Sequence, residues 1–414
     1  MSLSCLESAR VRIVTSLSSA ILVALVPSGG LQAAQTYVQP QVDLRAEAND
    51  NWDLTPGDTS DSDVYGFIAD LQALFGIATE RSDTSIRPRI RLQEYPDRED
   101  VSGFEGFFDL RSMYRWQTSD VLLNVRYSHQ DLYNAELPRG EQVFDPLDPS
   151  FGSDAESGRV IVGEVRDRLR VTPTYTYELS ERLSIGGDVN MDISRYNTDQ
   201  RDDYDFWKIG GFTTWSLNPR TSIGADVYTS SFETTENTNE TDGYGVGVSF
   251  VHRQSESIGV EGRLFYESND VVDFVPVRTE ESTSGMGGNL TAFVNGEVTQ
   301  WRFTLEQAFW PTGDGGKSES SQFRAQYRRS ITQHLKFDGT ARYFRDRAIG
   351  TADDDNDRDY ARLELALRYQ LSPTWSVSGG YGYTWQEYVD DADDASNNQL
   401  FLTVGYRGLD RPYR

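Results

Sequence analysis

The chain has 414 residues, 37% of them hydrophobic and 12% aromatic, with 39 Lys and Arg set against 65 Asp and Glu for a formal charge of −26. So few basic residues against so many acids argue against a nucleic-acid partner. The single cysteine, Cys5, excludes a disulfide framework.

At the N-terminus Arg10 and Arg12 precede an apolar run from Ile13 to Val26. Pro27, Ser28, Gly29 and Gly30 follow, then the small-residue end Leu31-Gln32-Ala33-Ala34. This is the pattern of a secretory signal peptide over residues 1–34, cut after Ala33 or Ala34. The run is shorter than the roughly 20 residues that a spanning helix needs. Cys5 lies ahead of it and therefore outside the expected mature chain, residues 35–414.

Nearly every segment after residue 40 alternates apolar with polar positions. In Ser85 to Gln93, Ile86, Pro88, Ile90 and Leu92 take one face while Arg87, Arg89, Arg91 and Gln93 take the other. In Glu164 to Leu179, Val165, Leu169, Val171, Tyr175, Tyr177 and Leu179 oppose Glu164, Arg166, Arg168, Arg170, Thr172 and Thr174. This is strand periodicity with one apolar and one wet face. The segments run to roughly 10 to 14 residues, the span of a tilted strand crossing a membrane and longer than most soluble strands. A wall in which only alternate residues meet lipid explains the modest hydrophobic content, and 22 Tyr and 8 Trp suit two interfacial girdles.

Short connections are predicted at Ser82-Asp83, Ser119-Asp120, Ser180-Glu181-Arg182, Asn218-Pro219-Arg220, Gln254 to Ser257, Asn295-Gly296, Thr332-Gln333 and Ser372-Pro373-Thr374. Long polar ones are predicted near 53–63, 96–103, 132–162, 197–203, 233–242, 268–284, 311–319, 347–358 and 389–397. Eight short and nine long connections imply 18 strands. The expected fold is all-β: one transmembrane antiparallel up-and-down barrel with short periplasmic turns and long extracellular loops. A diffuse repeat supports it, with an aromatic residue a few positions before a tight turn at Tyr177, Trp215 and Tyr369.

An Arg or Lys at the lipid midplane of a barrel costs roughly 2 to 4 kcal/mol, so the Arg-bearing parity must face the lumen. Leu335, Phe337, Gly339, Ala341 and Tyr343 then face lipid, as do Leu363, Leu365 and Leu367, and Leu400, Leu402 and Val404 against Val42, Leu44, Ala46 and Ala48. One expected pore-lining wall collects Arg87, Arg89, Arg91, Arg111, Arg115, Arg126, Arg166, Arg168 and Arg170. A second collects Arg302, Arg324, Arg328, Lys336, Arg342, Arg362 and Arg368. Two readings are open. These bases pair with inward acids such as Glu105, Asp109 and Glu164, or they form an electropositive conduit for carboxylate, sulfate or phosphate groups.

Acid gathers in the loops, at Asp53, Asp58, Asp61 and Asp63, at Asp199, Asp202 and Asp203, at Asp353 to Asp355 and Asp357, and at Asp390, Asp391, Asp393 and Asp394. Such runs are solvated or share divalent cations with lipopolysaccharide. Asp353, Asp355, Asp357 and Glu364 match an EF-hand spacing, but Arg358 stands where glycine is required and Glu364 belongs to a strand, so no metal site is expected. The loop at 132–162 carries Pro138, Val143, Phe144, Pro146, Leu147, Pro149 and Phe151, which suits a stiff segment folded into the lumen as a constriction or packed as an external cap.

Catalysis is not expected. The three histidines are dispersed: His129 near the external end of a strand, His252 on the outward parity, His334 in a periplasmic turn. None lies in a local nucleophile–base motif. Gly243, Gly245 and Gly247 recur with period two, as small lumen positions and not as a phosphate-cradling loop. No cofactor motif is present.

Three segments resemble the bacterial outer-membrane β-barrel porin type 2 family that accompanies exopolysaccharide gene clusters: Gln41-Val-Asp-Leu-Arg with Asn49-Asp-Asn-Trp52, Asp61-Ser-Asp-Val-Tyr65, and Arg87-Pro-Arg-Ile-Arg-Leu with Tyr95. The resemblance implies an integral outer-membrane barrel that takes part in polysaccharide secretion with a periplasmic export partner, and it transfers no catalytic residue. The expected function is a passive conduit for an exported, anionic polysaccharide. The alternatives are a general or substrate-selective diffusion porin for small solutes, and a barrel scaffold or adhesin that transports nothing. The chain runs past Tyr406 to Arg414 where barrels of this kind commonly end on an aromatic, so Tyr406 or Tyr413 is expected to serve as the closing residue.

Overall fold

Alternation of lipid-facing and inward residues carries the chain through eighteen long strands. In the computed structural model, residues 34–413 are described apart from 56–62, 97, 99–100, 137–163, 199–200, 236–238, 275–278, 312–316, 349–356, 389–393 and 409–410. The expected signal peptide lies outside the described residues save for Ala34. The first elements are β1 (Gln35–Asn49), β2 (Val64–Ala78), β3 (Ser82–Glu94), β4 (Gly103–Arg115), β5 (Ser119–Asp131), the short α1 (Leu132–Glu136), β6 (Val165–Glu178), β7 (Leu183–Tyr196), β8 (Tyr204–Asn218) and β9 (Thr221–Thr234). There follow β10 (Asn239–Arg253), β11 (Ile258–Asp273), β12 (Thr279–Asn295), β13 (Thr299–Pro311), β14 (Lys317–Ser330), β15 (Leu335–Ala348), β16 (Arg358–Gln370), β17 (Trp375–Tyr388), β18 (Asp394–Arg407) and β19 (Arg411–Tyr413).

Each long strand runs antiparallel to its sequence neighbour, and β1 closes on β18 from Gln41 opposite Arg407 to Asn49 opposite Gln399. Closure leaves no free edge among the long strands, which is what a spanning sheet requires where no water can bond the backbone. The three-residue β19 pairs with Thr36–Val38 and so continues the line of β18 along β1. Gly408 N–H also donates to Pro40 O, at 2.7 Å.

Parity follows the expectation drawn from the arginines. Leu400 and Leu402 are 61% and 55% exposed on the outer face while Gln399 between β18 neighbours is 1% exposed, and Ile90 and Leu92 are open where Arg91 and Gln93 are buried. An apolar belt this continuous is one that lipid covers.

All eight short turns and nine long connections occur, with adjusted boundaries. Ser82-Asp83 and Ser119-Asp120 open β3 and β5, and the turns precede them at 79–81 and 116–118. The stretches at 233–242 and 268–284 are mostly strand: β9 reaches Thr234, β10 starts at Asn239, β11 reaches Asp273 and β12 starts at Thr279. Ser, Thr, Asp and Glu above the lipid level keep the backbone ladder without any apolar face, so polarity there does not mark a loop. The wall has one short seam. β12 pairs with β13 only over Gly288–Asn295, and above it the Phe309 ring lies where a side chain at Gly285 would stand, edge-on to Phe265 at 6.5 Å.

Candidate functional site

Strand pairing aligns the first basic wall with acids. Arg87 stands opposite Asp109, Asp109 opposite Arg126, Arg126 opposite Arg170 and Arg170 opposite Asp192, on five consecutive strands from β3 to β7. Arg87 Nε and Arg126 Nε donate to the two oxygens of Asp109 at 3.2 and 2.9 Å. Arg168 Nε and Arg170 Nη2 donate to Asp192 at 2.8 and 3.1 Å. Arg89 Nε reaches Asp70 at 2.8 Å, and Arg91 Nη1 reaches Glu105 at 3.2 Å. Six of the nine expected arginines thus hold carboxylates, which is the pairing reading; these six and Asp70, Glu105, Asp109 and Asp192 still leave two positive charges in excess. Arg111 and Arg115 lie exposed toward the short-turn end, and Arg166 is fully buried.

The second wall differs. Arg324, Arg342 and Arg362 stand directly opposite one another on β14, β15 and β16, and Lys336 stands opposite Arg368. Directly opposed like charges destabilise a strand pair. Arg328 finds Asp338 at 2.6 Å, and Arg362 is held by Thr384, Glu364 and Gln399 at 2.9, 3.1 and 2.9 Å. Glu364 is an ion-pair partner of Arg362 within β16, and Asp353 and Asp355 of the EF-hand-like spacing lie outside the described residues.

A third polar face, on β8 to β11, was not singled out by sequence. Arg263 Nε bonds Asp226 at 2.9 Å, Tyr228 Oη bonds Glu267 at 2.5 Å, and Lys208 Nζ sits 3.4 Å above the Tyr228 ring. The glycines of β10 make this possible. A Cβ at Gly245 would collide with the Tyr228 ring and one at Gly247 with Asp226, so both side chains lie flat across β10 toward β11. The period-two glycines were the available signal.

At the long-loop end, buried apolar residues gather in one cluster. Trp52 is 1% exposed between Tyr95, edge-on at 4.5 Å, and Tyr133 of α1, stacked at 4.7 Å. Tyr133 Oη donates to Trp52 O. The cluster continues through Leu54, Val64, Val101, Ala395, Phe344 and Tyr360. Its members on β16 and after β5 are seven strand positions apart in a wall of eighteen, well over a third of the circumference. Polar bonds fix the first loop beneath it: Asn51 Nδ2 donates to Thr55 O and Ser396 O, each at 3.0 Å, and Gln386 donates to Leu54 O at 3.3 Å. Leu54 takes a φ of 49°, a left-handed conformation that a non-glycine residue keeps only when its surroundings demand it.

Residues 132–162 were expected to form either a constriction in the lumen or an external cap, and residues 137–162 of that stretch lie outside the described residues. Of that loop only α1 and the start are described, up to Glu136, and there Tyr133 is one member of a cluster built chiefly by the first two loops. Below it, Tyr95 Oη and Gln399 Nε2 donate to Glu47 at 2.8 and 2.9 Å, and Glu47 also pairs with Arg45 at 2.9 Å. Asp53 and Asp203, expected as solvated loop acids, are bonded instead: Arg98 Nη1 meets Asp53 at 2.9 Å and Tyr196 N–H meets Asp203 at 2.7 Å.

The histidines stay apart. His129 Nδ1 lies 2.9 Å from Asp167, His252 Nδ1 lies 3.0 Å from Thr221 Oγ1, and His334 sits in the turn before β15. On the outer surface near the long loops, Arg345 and Arg347 both hold Asp359 at 2.9 Å.

No family model matches the chain, and no curated protein matches it. Similar solved structures exist. OpdL of Pseudomonas aeruginosa has a TM-score of 0.43 at 12% identity, over 91% of this chain and 99% of that one. OccAB3 of Acinetobacter baumannii has a TM-score of 0.46 at 11% identity, over 90% and 99%. OccK2 (OpdF) of Pseudomonas aeruginosa, solved in complex with glucuronate, has a TM-score of 0.45 at 10% identity, over 90% and 98%. Likeness at this level says nothing about solute. The resemblance to the exopolysaccharide-associated barrels is left with its short sequence motifs.

Proposed function

We propose that the chain is an outer-membrane channel through which small solutes diffuse, with a preference for anions. Two features support this reading: the arginine-bearing inward parity of β3 to β6, and the buried Trp52–Tyr95–Tyr133 cluster at the long-loop end, which we read as narrowing the mouth. Barrels of 16 to 18 strands leave an aqueous channel. A folded polysaccharide needs that channel clear along its whole length, whereas a solute of a few ångströms does not, so the cluster favours the small-solute alternative over a polymer conduit. It also gives no support to a periplasmic export partner. The arginines Arg87, Arg89, Arg91, Arg126, Arg168 and Arg170 line the pore as a paired lattice with surplus positive charge. Lipid and lipopolysaccharide surround the outer belt, the latter at the level of Arg345, Arg347 and Asp359.

The test is swelling of proteoliposomes in a graded series of sugars and sugar acids. Swelling in monosaccharides and uronic acids that falls off for longer oligosaccharides is expected. Equal rates for long oligosaccharides would return the polymer reading, and no swelling from a folded barrel would favour a scaffold.

A further inference from the structure

Six arginines of the first wall each reach an acid. Arg342 of the second wall and Arg358, which the sequence reading did not place in either wall, do not, and both are buried. Arg358, the first residue of β16, is 0% exposed, with its guanidinium 4.6 Å above the Phe344 ring and 5.3 Å from that of Tyr360. Its Nε, Nη1 and Nη2 are all buried without a hydrogen-bond partner. Arg342, 8% exposed, lies over the same Phe344 ring at 5.1 Å, and its Nε and Nη2 are likewise buried without a partner. Tyr360 Oη is a third such group. Among the described residues, the acid directly opposite Arg358 in the β15–β16 pairing is Asp346, 6% exposed. Arg324 and Arg362 also stand opposite Arg342, so cations outnumber the carboxylate among these facing residues, beside the stacked Phe344 and Tyr360 rings, whose centroids are 4.6 Å apart.

We propose that Arg342 and Arg358 form a phosphate-binding site at the extracellular end of the lumen, in which Asp346 accepts a hydrogen bond from a P–OH group. A buried cation whose N–H groups meet no acceptor costs several kcal/mol, so the arrangement is complete only with an anion. The number of donors selects which one. Arg358 offers all five N–H groups and Arg342 three, about eight in all, whereas one carboxylate presents about four lone-pair sites. A tetrahedral anion with four oxygens spans both forks, and bidentate arginine contacts suit it. Sulfate has the same shape but no proton, and it would set a bare oxygen against Asp346. Hydrogen phosphate turns that repulsion into a donated hydrogen bond. Entry would be from the lumen past Arg342, which stands two cross-strand pairs deeper than the Phe344–Tyr360 pair. The site depends on the channel reading only for how phosphate arrives.

Isothermal titration of inorganic phosphate into the folded, full-length barrel in detergent micelles tests binding without transport. Heat-modifiable gel mobility verifies folding of each variant. Saturable binding is expected, with Arg342→Gln and Arg358→Gln each weakening it by roughly 10- to 100-fold. Sulfate is expected to bind at least about tenfold more weakly than phosphate, and Asp346→Asn to erase that preference. Absence of saturable phosphate binding by the folded wild type would overturn the site. So would wild-type affinity in Arg342→Gln, which, as the less buried of the two, decides the matter if Arg358→Gln fails to fold. Equal affinity for sulfate and phosphate, unchanged in Asp346→Asn, would overturn the assignment to phosphate. Conductance of the same preparation separates the readings: binding without conductance refutes the channel and leaves the site standing.

Discussion

Trp52→Ala removes the ring on which the mouth cluster turns. The Trp52 side chain is 1% exposed and contacts Tyr95 and Tyr133 on two sides. Burial of about 200 Å² at about 25 cal/mol/Å² is worth about 5 kcal/mol, and Trp→Ala changes in packed interiors cost roughly 3 to 5. The strands close the barrel without this residue, so the loss falls on the docking of the first loop and α1. At about 4 kcal/mol, with each 1.4 a factor of ten, the equilibrium between docked and undocked loops moves by about a thousandfold. Single-channel recording in planar bilayers should then show a larger conductance with more frequent current fluctuations than wild type, from a barrel of unchanged gel mobility. An identical conductance histogram from the folded variant would refute the idea that this cluster sets the narrowest passage.

Neutralising Arg89, Arg168 and Arg170 together to Gln should move the reversal potential in a salt gradient toward cations. It should also strip Asp192, whose side chain is 4% exposed, of both partners, at about 3 to 5 kcal/mol; urea unfolding in micelles should show that loss, and adding Asp192→Asn should recover most of it. Leu365→Arg places a charge on the lipid face at roughly 2 to 4 kcal/mol, and the fraction that folds into vesicles should fall. Gly245→Val should drive Tyr228 away from Glu267 and lower the unfolding free energy measured in urea by about 1 to 3 kcal/mol, while Gly243→Ala serves as the comparison in the same strand.

The wall was legible in the sequence because its rules are local. Whether Leu363 meets lipid and Arg362 the lumen is decided by a period of two and by the cost of a charge in hydrocarbon, neither of which needs knowledge of distant residues. Turn chemistry at Asn218-Pro219-Arg220 and Gln254 to Ser257 is local in the same way. The long connections at 233–242 and 268–284 were overdrawn because composition there is polar on both faces, and strand pairing above the membrane leaves no apolar period to read. The mouth was illegible for another reason. Trp52 follows Asn-Asp-Asn in an aperiodic stretch, and its partner Tyr133 lies 81 residues away. The pairing of Arg87 with Asp109 was open in principle, since both were on the inward parity, but register across strands is fixed by the whole hairpin and not by either residue. Lys208 and Arg263 passed unnoticed because each is a lone base on its strand's inner face.

The most direct measurement is the reversal potential of the purified, refolded barrel in a planar bilayer under a KCl gradient. An open small-solute channel lined by surplus arginines predicts measurable single-channel conductance and a potential of the sign that marks chloride as the more permeant ion. A potential of the opposite sign, or no conductance from a barrel that gel mobility shows to be folded, would contradict it.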